Sequence, residues 1–545
     1  MSRYKLPILF AVTFGSAASA QAPLKVVAEG DVVAGVGTVT SINNLAVNNS
    51  GTTLVEADTD NPDTDIDSVV LRGSALDLQE GQGLALPAGS TIRFFDSVNV
   101  NSNGDSGWNI FIDGTGSSFN DSGVYFNSTL VIQESDATTA PGFTPLTPYI
   151  GFLESKMNDS NQIALIASLD DPAISSTVDR AIMRIDLDGS GALLSETAIL
   201  KEGDAAPGVA GFTISDFGIG AHEFAINNAG DVMYGVDLTG GTAQNAIYLN
   251  ETPLAVDGAP SPVAGRNWNV LFSAELDLNN VGDFVFNASI DGPGDSSRLL
   301  VKNGAKFRQQ GDTLPAIGGV FAFEHFGTGP VCLNDSGEVL WFGNWDDADL
   351  SVDEGLFIDD ELIVQEGVTT VGGVVIESLA SSQDSYAMSP NGRYVLFEAT
   401  LVGSIDGAFI IDRAPLGDNY CVGAVNSSGL GATLSASGSL ELADMNLTLR
   451  SEGQPGGVSG LYYFGPNQIQ AVFGDGFRCV GGALRRVQPP VMANEGGISA
   501  RSLNFAAPYA TSLTPGSLNF QLWYRDPMAG MSGFNLSDGL ELVLQ

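Results

Sequence analysis

The chain has 545 residues and carries 64 Asp+Glu against 22 Lys+Arg, a formal net charge of −42. A field of that sign repels nucleic acid and anionic membrane surfaces, which excludes nucleic-acid binding as a function class. Hydrophobic residues make up 43%, glycines number 67, and no long stretch has a helical period, so the expectation is an all-β protein of at least two domains.

In chain order, the first element is a targeting segment. Arg3 and Lys5 are followed by an apolar run over residues 6–14 and by the small-x-small site Ala18-Ser19-Ala20. This pattern predicts a signal peptide over residues 1–20 and a mature chain beginning at Gln21. The apolar run is too short to span a bilayer, and no second run of about 18 apolar residues follows, so no membrane span is expected after cleavage.

Seven copies of one short pattern come next: apolar, Asn, x, x, Gly, then a hydrophobic strand. The key positions are Asn48, Asn101, Asn158, Asn227, Asn279, Asn334 and Ser389, at spacings of 53, 57, 69, 52, 55 and 55. Gly stands three residues later in six copies and Asn161 in the third. Seven residues later stands a large apolar side chain: Val55, Trp108, Leu165, Tyr234, Phe286, Trp341 and Leu396. Asn and Gly tolerate positive φ, so the pattern predicts a tight turn between two strands with alternate apolar residues buried. A second column precedes each turn: Glu29-Gly30-Asp31, Glu80-Gly81, Glu134-Ser135-Asp136, Glu202-Gly203-Asp204, Asp257-Gly258, Gln310-Gly311-Asp312 and Glu366-Gly367. A third column is a short apolar strand, as at residues 246–249, 355–358 and 408–411. About four strands per repeat of ~55 residues is the content of a propeller blade.

The last copy is not followed by a Glu-Gly-Asp segment. The missing segment stands at the N-terminus, over residues 24–31. The expected fold over residues 21–413 is therefore a seven-bladed β-propeller closed by an N-terminal strand, which leaves no open sheet edge at the seam. A β-solenoid, the rival reading, would need shorter repeats and capping ends and would not explain this permuted register.

After a linker at 413–417 the texture changes. Short apolar strands at 432–438, 446–449, 461–464, 517–524 and 540–544 predict a β-sandwich over residues 414–545. Export makes a disulfide between Cys421 and Cys479 the expected pairing, stabilising the domain by ~4 kcal/mol through loop closure. Cys332 occupies the position held by Ala46, Ala225 and Ala387 in other copies, and reads as a small core residue.

Asn419-Tyr420-Cys421, Asn426-Ser427-Ser428-Gly429, Gly474-Asp475-Gly476-Phe477-Arg478-Cys479, Phe520-Gln521-Leu522-Trp523-Tyr524-Arg525-Asp526 and Asn535-Leu536-Ser537-Asp538 resemble a C-terminal β-sandwich module. That module recurs on large secreted proteins of environmental Gram-negative bacteria, and the Asn-x-x-Gly and Glu-Gly-Asp repeats resemble the secreted propellers that carry it. The resemblance spans nearly the whole mature chain. It implies this architecture and a secreted, cell-surface or periplasmic location, and it implies no catalytic residue.

The chemistry-bearing residues are few. His222 and His325 lie in different repeats, and there is no G-x-S-x-G, H-E-x-x-H or G-K-[ST] pattern. Two acidic stretches suit Ca²⁺, which wants several oxygens: one holds Asp58, Asp60, Asp63 and Asp65, the other Asp186 and Asp188. The alternative for each is a solvated acidic turn, and no other cofactor is expected. The functional expectation is a non-catalytic binding or structural protein, taken as a monomer, that presents propeller loops to a protein or glycan. The alternative is a glycan hydrolase or lyase using acidic residues in the central channel. Scarce His, Lys and Arg favour the first, since such reactions need a general acid or a cation beside developing charge.

Overall fold

A computed structural model describes residues 22–545 except 175–178, 218–223, 271–274, 383, 415, 430, 439, 441, 443, 444, 446, 495 and 496. The signal segment and His222 lie outside the described residues. No helix among those described is long and apolar enough to cross a membrane.

Seven antiparallel sheets follow one another along residues 24–412. Blade 1 is typical: Gly37–Val47 pairs with Thr53–Thr59, that strand with Ser68–Arg72, and the last with Ala75–Gln79. The first strand of each blade faces the axis. Gly37–Val47 packs against Thr91–Val100, and the contacts continue through Tyr149–Met157, Phe224–Ile226, Leu276–Leu278, Cys332–Leu333 and Tyr386–Met388 back to Gly37–Val47. This closed series of contacts makes the molecule a seven-bladed β-propeller.

The seam is closed as expected. Leu24–Ala28 adds to the last blade beside Ile405–Asp412, with Leu24 opposite Ile410 and Ala28 opposite Gly407. Glu29 then accepts the backbone N–H of Asp406 at 3.2 Å.

Stability is distributed around the ring. Seven hydrophobic clusters lie one between each pair of neighbouring blades. Val69 and Val70 illustrate how period two feeds them. Val69 packs toward blade 7 and Val70 toward blade 2, because successive strand side chains point to opposite faces. A sheet buried on both faces reads as a continuous apolar run, as Ser68–Arg72 does.

One column of the repeat shifts in the structure. Val55, Trp108, Leu165, Tyr234, Phe286 and Trp341 each face the preceding blade, but Leu396 faces blade 1 instead. The turn at Ser389 is one residue longer than the others: the Ser389 N–H reaches the carbonyl of Tyr394, where Asn48 reaches Thr52. An extra residue reverses the side-chain alternation, so Phe397 takes the place facing blade 6.

Residues from Asp418 onward form the second unit. A six-stranded sheet runs Asp418–Tyr420, Gly539–Leu544, Gly516–Arg525, Ser459–Gly465, Arg485–Met492, with Phe534–Leu536 also on Gly516–Arg525. It packs on a three-stranded sheet of Thr433–Ser437, Thr448–Glu452 and Ser499–Ser502 over a core containing Leu449, Tyr462, Phe464, Phe520 and Leu542. A separate hairpin, Asn467–Phe473 with Gly476–Gly481, is tied to the start of the domain by the Cys421–Cys479 disulfide.

Candidate functional site

The channel is built by the turns that repeat around it. In each of the first six copies the Asn Oδ1 accepts two backbone N–H groups of its own turn, as Asn48 does from Ser50 at 3.0 Å and Thr52 at 2.9 Å. The Nδ2 of four of them reaches across to the next blade. Asn48 donates to the Asn101 carbonyl at 2.8 Å, Asn101 to Asn158 at 3.4 Å, Asn158 to Asn227 at 2.7 Å and Asn279 to Asn334 at 2.8 Å. Between blades 4 and 5 the bridge is Asn228 N–H to Asn280 Oδ1, at 2.7 Å. Asn161 holds φ at 58°, matching the positive φ of the glycines at that position.

The Glu-Gly-Asp column is also structural. Glu80, Glu134, Glu202 and Asp257 each accept a backbone N–H at the start of the third strand of their blade, and Gln310 does the same without a charge. Asp31, Asp136, Asp204 and Asp312 close the turn by accepting the N–H three residues before them. Burial pushes the Glu80 and Glu134 carboxyls up to about 7.

What remains for chemistry is inside the channel. The position two before the turn Asn faces the axis, and it holds Ala46, Asn99, Lys156, Ala225, Asp277, Cys332 and Ala387. These line a cavity of about 230 Å³ at the turn-side mouth. Further along the axis a second space of about 20 Å³ is bounded by Asn44, Asp96, Ser97, Glu154, Lys156 and Asp384. A space of that size holds about one water.

The carboxylates of Asp277, Glu154, Asp96 and Glu56 are all engaged. Asp277 accepts the N–H of Leu333 at 2.7 Å and of Leu278 at 2.8 Å. Glu154 accepts the Ser97 hydroxyl at 2.6 Å, Asp96 the Asn109 amide at 2.6 Å, and Glu56, just behind, the Asn44 amide at 2.5 Å. Burial raises all four: Glu56 to about 8, Glu154 to about 7, Asp96 and Asp277 to about 6. Lys156 opposes the shift at Glu154 and Asp277. It is the one cation among the residues lining either space. Cys332 lies beside Asp277, and burial pushes its thiol up, which suppresses the reactive thiolate.

The other sequence candidates lie elsewhere. His325 stacks on Phe342 with ring centroids 6.2 Å apart, and burial lowers its pKa, so it stays a neutral packing group. Asp58 accepts the Ser41 hydroxyl and Asp60 the Thr38 N–H, while Asp63 and Asp65 are exposed and Asp63 caps the N–H of Asp65. Asp186 is held by Gln162, Ser195 and Arg184; Asp188 caps the N–H groups of Ser190 and Ala192. Among the described residues no three His, Cys, Asp or Glu side chains are grouped to hold a metal ion. The structure uses these acids as turn and ladder acceptors. Cys421 and Cys479 are bonded to each other, with Cα atoms 6.0 Å apart.

The sequence reading did not single out Glu56, Asp96, Glu154 or Lys156. In a chain this acidic no carboxylate stands out by type. The usable signal was positional: in a column where three of seven copies hold Ala, Lys156 and Asp277 are departures.

A family model described as a family of unknown function, DUF7453, matches residues 13–197 and again 190–372. The chain belongs to this family. The two matches meet around the last strand of blade 3, Leu193–Lys201, and end at the start of blade 7, before the sandwich. No curated protein matches the chain. Among solved structures, a Trypanosoma rangeli sialidase in complex with 2,3-difluorosialic acid is similar at 10% identity and a TM-score of 0.31, covering 97% of this chain and 94% of that one. An engineered GH43 glycoside hydrolase aligns at 9% identity, a TM-score of 0.21 and coverages of 92% and 95%. A glycoside hydrolase family 32 structure from Bifidobacterium adolescentis aligns at 10% identity, a TM-score of 0.21 and coverages of 90% and 88%. The propeller assignment rests on the seven sheets and their ring of contacts.

Proposed function

We propose that the protein is an exported, non-catalytic binding protein whose propeller presents its turn-side loops and channel mouth to a protein or glycan. The observation that carries this reading is the size of the acidic space. Most glycoside hydrolases place the glycosidic bond between two carboxyl groups, and about 20 Å³ at Asp96, Glu154 and Asp384 admits a water but no sugar. At the wider mouth Asp277 already spends its oxygens on backbone N–H groups. The seven turns, cross-linked into a belt, form a stiff rim suited to recognition at little ordering cost.

The test is a glycan-array and pull-down screen with the mature protein, run beside an assay for new reducing ends on every glycan retained. Binding without turnover supports the proposal. Turnover abolished by Glu154→Gln would overturn it in favour of the hydrolase reading. That second reading draws on one observation: carboxyl groups raised to about 6 and 7 stand beside Lys156, an arrangement that can hold one acid protonated near neutral pH.

A further inference from the structure

The charge of the molecule is unevenly divided. Residues 416–545 hold six Arg and no Lys against nine Asp+Glu, a net of −3 out of −42. Half of those arginines, Arg478, Arg485 and Arg486, line one cavity of about 810 Å³ on the outer face of the six-stranded sheet. The cavity lining contains no Asp or Glu. Among the described residues, none of the three pairs with a carboxylate. Arg485 donates to Ser512 Oγ at 3.1 Å, and the Arg478 Nε is buried with no hydrogen-bond partner.

Strand alternation creates the floor. Tyr462 and Phe464 point into the sandwich core, so Tyr463 points out, and Trp523 does the same between Leu522 and Tyr524. The outward face of such a sheet is normally solvated and polar. Here the hairpin over residues 467–481 folds across it and contributes Phe473, which is 45% exposed, and Arg478, whose guanidinium lies 5.9 Å from the Phe473 ring centroid. The disulfide at Cys479, the next residue, fixes the Arg478 strand to the body of the domain. The feature is thus a concave aromatic floor rimmed by unpaired arginines, with a volume typical of small-ligand sites.

We propose that this cavity binds an anionic sugar unit, with its ring against Trp523 and Phe473 and its acid group between Arg478 and Arg486. Guanidinium groups match carboxylate and sulfate geometry through paired N–H donors, and aromatic faces offer apolar area to the C–H face of a sugar ring. The negative charge elsewhere does not forbid this, because at physiological salt its field is screened over about 8 Å. The site is separate from the channel and stands independently of the propeller reading.

Calorimetry on the mature full-length protein in 0.15 M salt, on the order of physiological strength, tests it with three probes: a trigalacturonate, a sulfated trisaccharide and the neutral maltotriose. Saturable binding of at least one anionic probe, with none for maltotriose, is the expected result, and which acid binds distinguishes carboxylate from sulfate. Arg486→Gln, on an exposed side chain, and Arg478→Gln should each weaken it about tenfold or more while leaving the melting temperature unchanged. No saturable heat with either anion, equal binding of maltotriose, or wild-type affinity in both variants overturns the proposal. Capture of an acidic peptide in place of the sugars overturns it too and points to a protein partner.

Discussion

Asn48→Ala removes the most completely used side chain of the turn belt. Asn48 is 1% exposed; its Oδ1 serves the N–H groups of Ser50 and Thr52, and its Nδ2 serves the Asn101 carbonyl. The two turn N–H groups are part-buried and cost about 1 kcal/mol each when stranded, and the buried carbonyl about 1–3, for a total of about 3–5 kcal/mol. Roughly 390 propeller residues at about 2.1 cal/mol/K each give an unfolding entropy near 0.8 kcal/mol/K, so the transition should move down by about 5 °C. Asn48→Ser is the internal control. Ser389 already shows what serine can do: its Oγ accepts the Tyr394 N–H at 2.9 Å, but its one hydroxyl hydrogen is donated within the turn, to Asn391 Oδ1 at 2.8 Å, and does not cross to the next blade. The serine variant should therefore lose about half as much as alanine. Differential scanning calorimetry, with the sandwich transition as an internal reference, checks both. An unchanged propeller transition in Asn48→Ala, or equal losses in the two variants, would refute the division of labour between Oδ1 and Nδ2.

Glu56 is held at about 8 against an ordinary 4.5, so the folded state binds a proton that the unfolded state has released near neutrality. Its stabilisation is complete below about 4.5 and is lost as pH rises through 8, worth on the order of 4 kcal/mol. Wild type should melt lower at pH 9 than at pH 5, and Glu56→Gln should flatten that slope and exceed wild type at pH 9. A slope unchanged in the variant removes Glu56 as its source and assigns it to the other raised carboxyls, such as Glu80, Glu134 and Glu154, or to general charge repulsion. Reducing Cys421–Cys479 opens a 58-residue separation and should cost the sandwich about 4 kcal/mol, read as a fall of about 10 °C or more in its transition under dithiothreitol while the propeller transition stays fixed. Native protein should not react with a disulfide reagent at Cys332 at pH 8, whereas unfolded protein should give one thiol.

The ring was legible because its determinants are local. A turn needing positive φ selects Gly or Asn, and a strand buried on both faces selects an apolar run, so a spacing near 55 could be counted directly. The closing strand was legible for the same reason: Glu29 stands in the Glu column but precedes the first turn. The extra residue at Ser389 was missed because Leu396 and Phe397 are both large and apolar, and composition does not report which interface each faces. The channel acids were missed for a different reason. Burial and axial position raise their pKa, and both are products of assembling seven blades rather than of any one segment. Outward Tyr463 and Trp523 look in sequence like core residues, and only the hairpin crossing the sheet reveals their surroundings.

The departure at Ser389 also explains how the second domain is attached. Serine cannot bridge blade 7 to blade 1, and Asn391 does so instead, donating its N–H to Asn49 Oδ1 at 2.7 Å and its amide to the Asn49 carbonyl at 3.1 Å. On the other side, Asn334 Nδ2 turns to Glu338 at 2.6 Å instead of crossing to blade 7. Arg413, the first residue beyond the last strand, completes that junction. It grips Glu338 through two bonds at 2.9 and 3.0 Å and donates to the Gly392 carbonyl at 2.6 Å. Those contacts hold the Glu338 carboxyl below its ordinary range. The belt is held here by the Asp335 N–H, which reaches the Pro390 carbonyl at 2.7 Å, and by this arginine at the start of the linker. The sandwich therefore leaves the propeller from a fixed point on the turn-side rim. Arg413→Gln should loosen the blade 6–7 junction and the linker together, whereas Arg393→Gln, which loses a surface pair with Asp412 and a contact over the Tyr394 ring, should do neither. Hydrogen exchange at residues 334–338 and 389–393 in the two variants distinguishes them, and equal protection in both would remove the arginine from the belt.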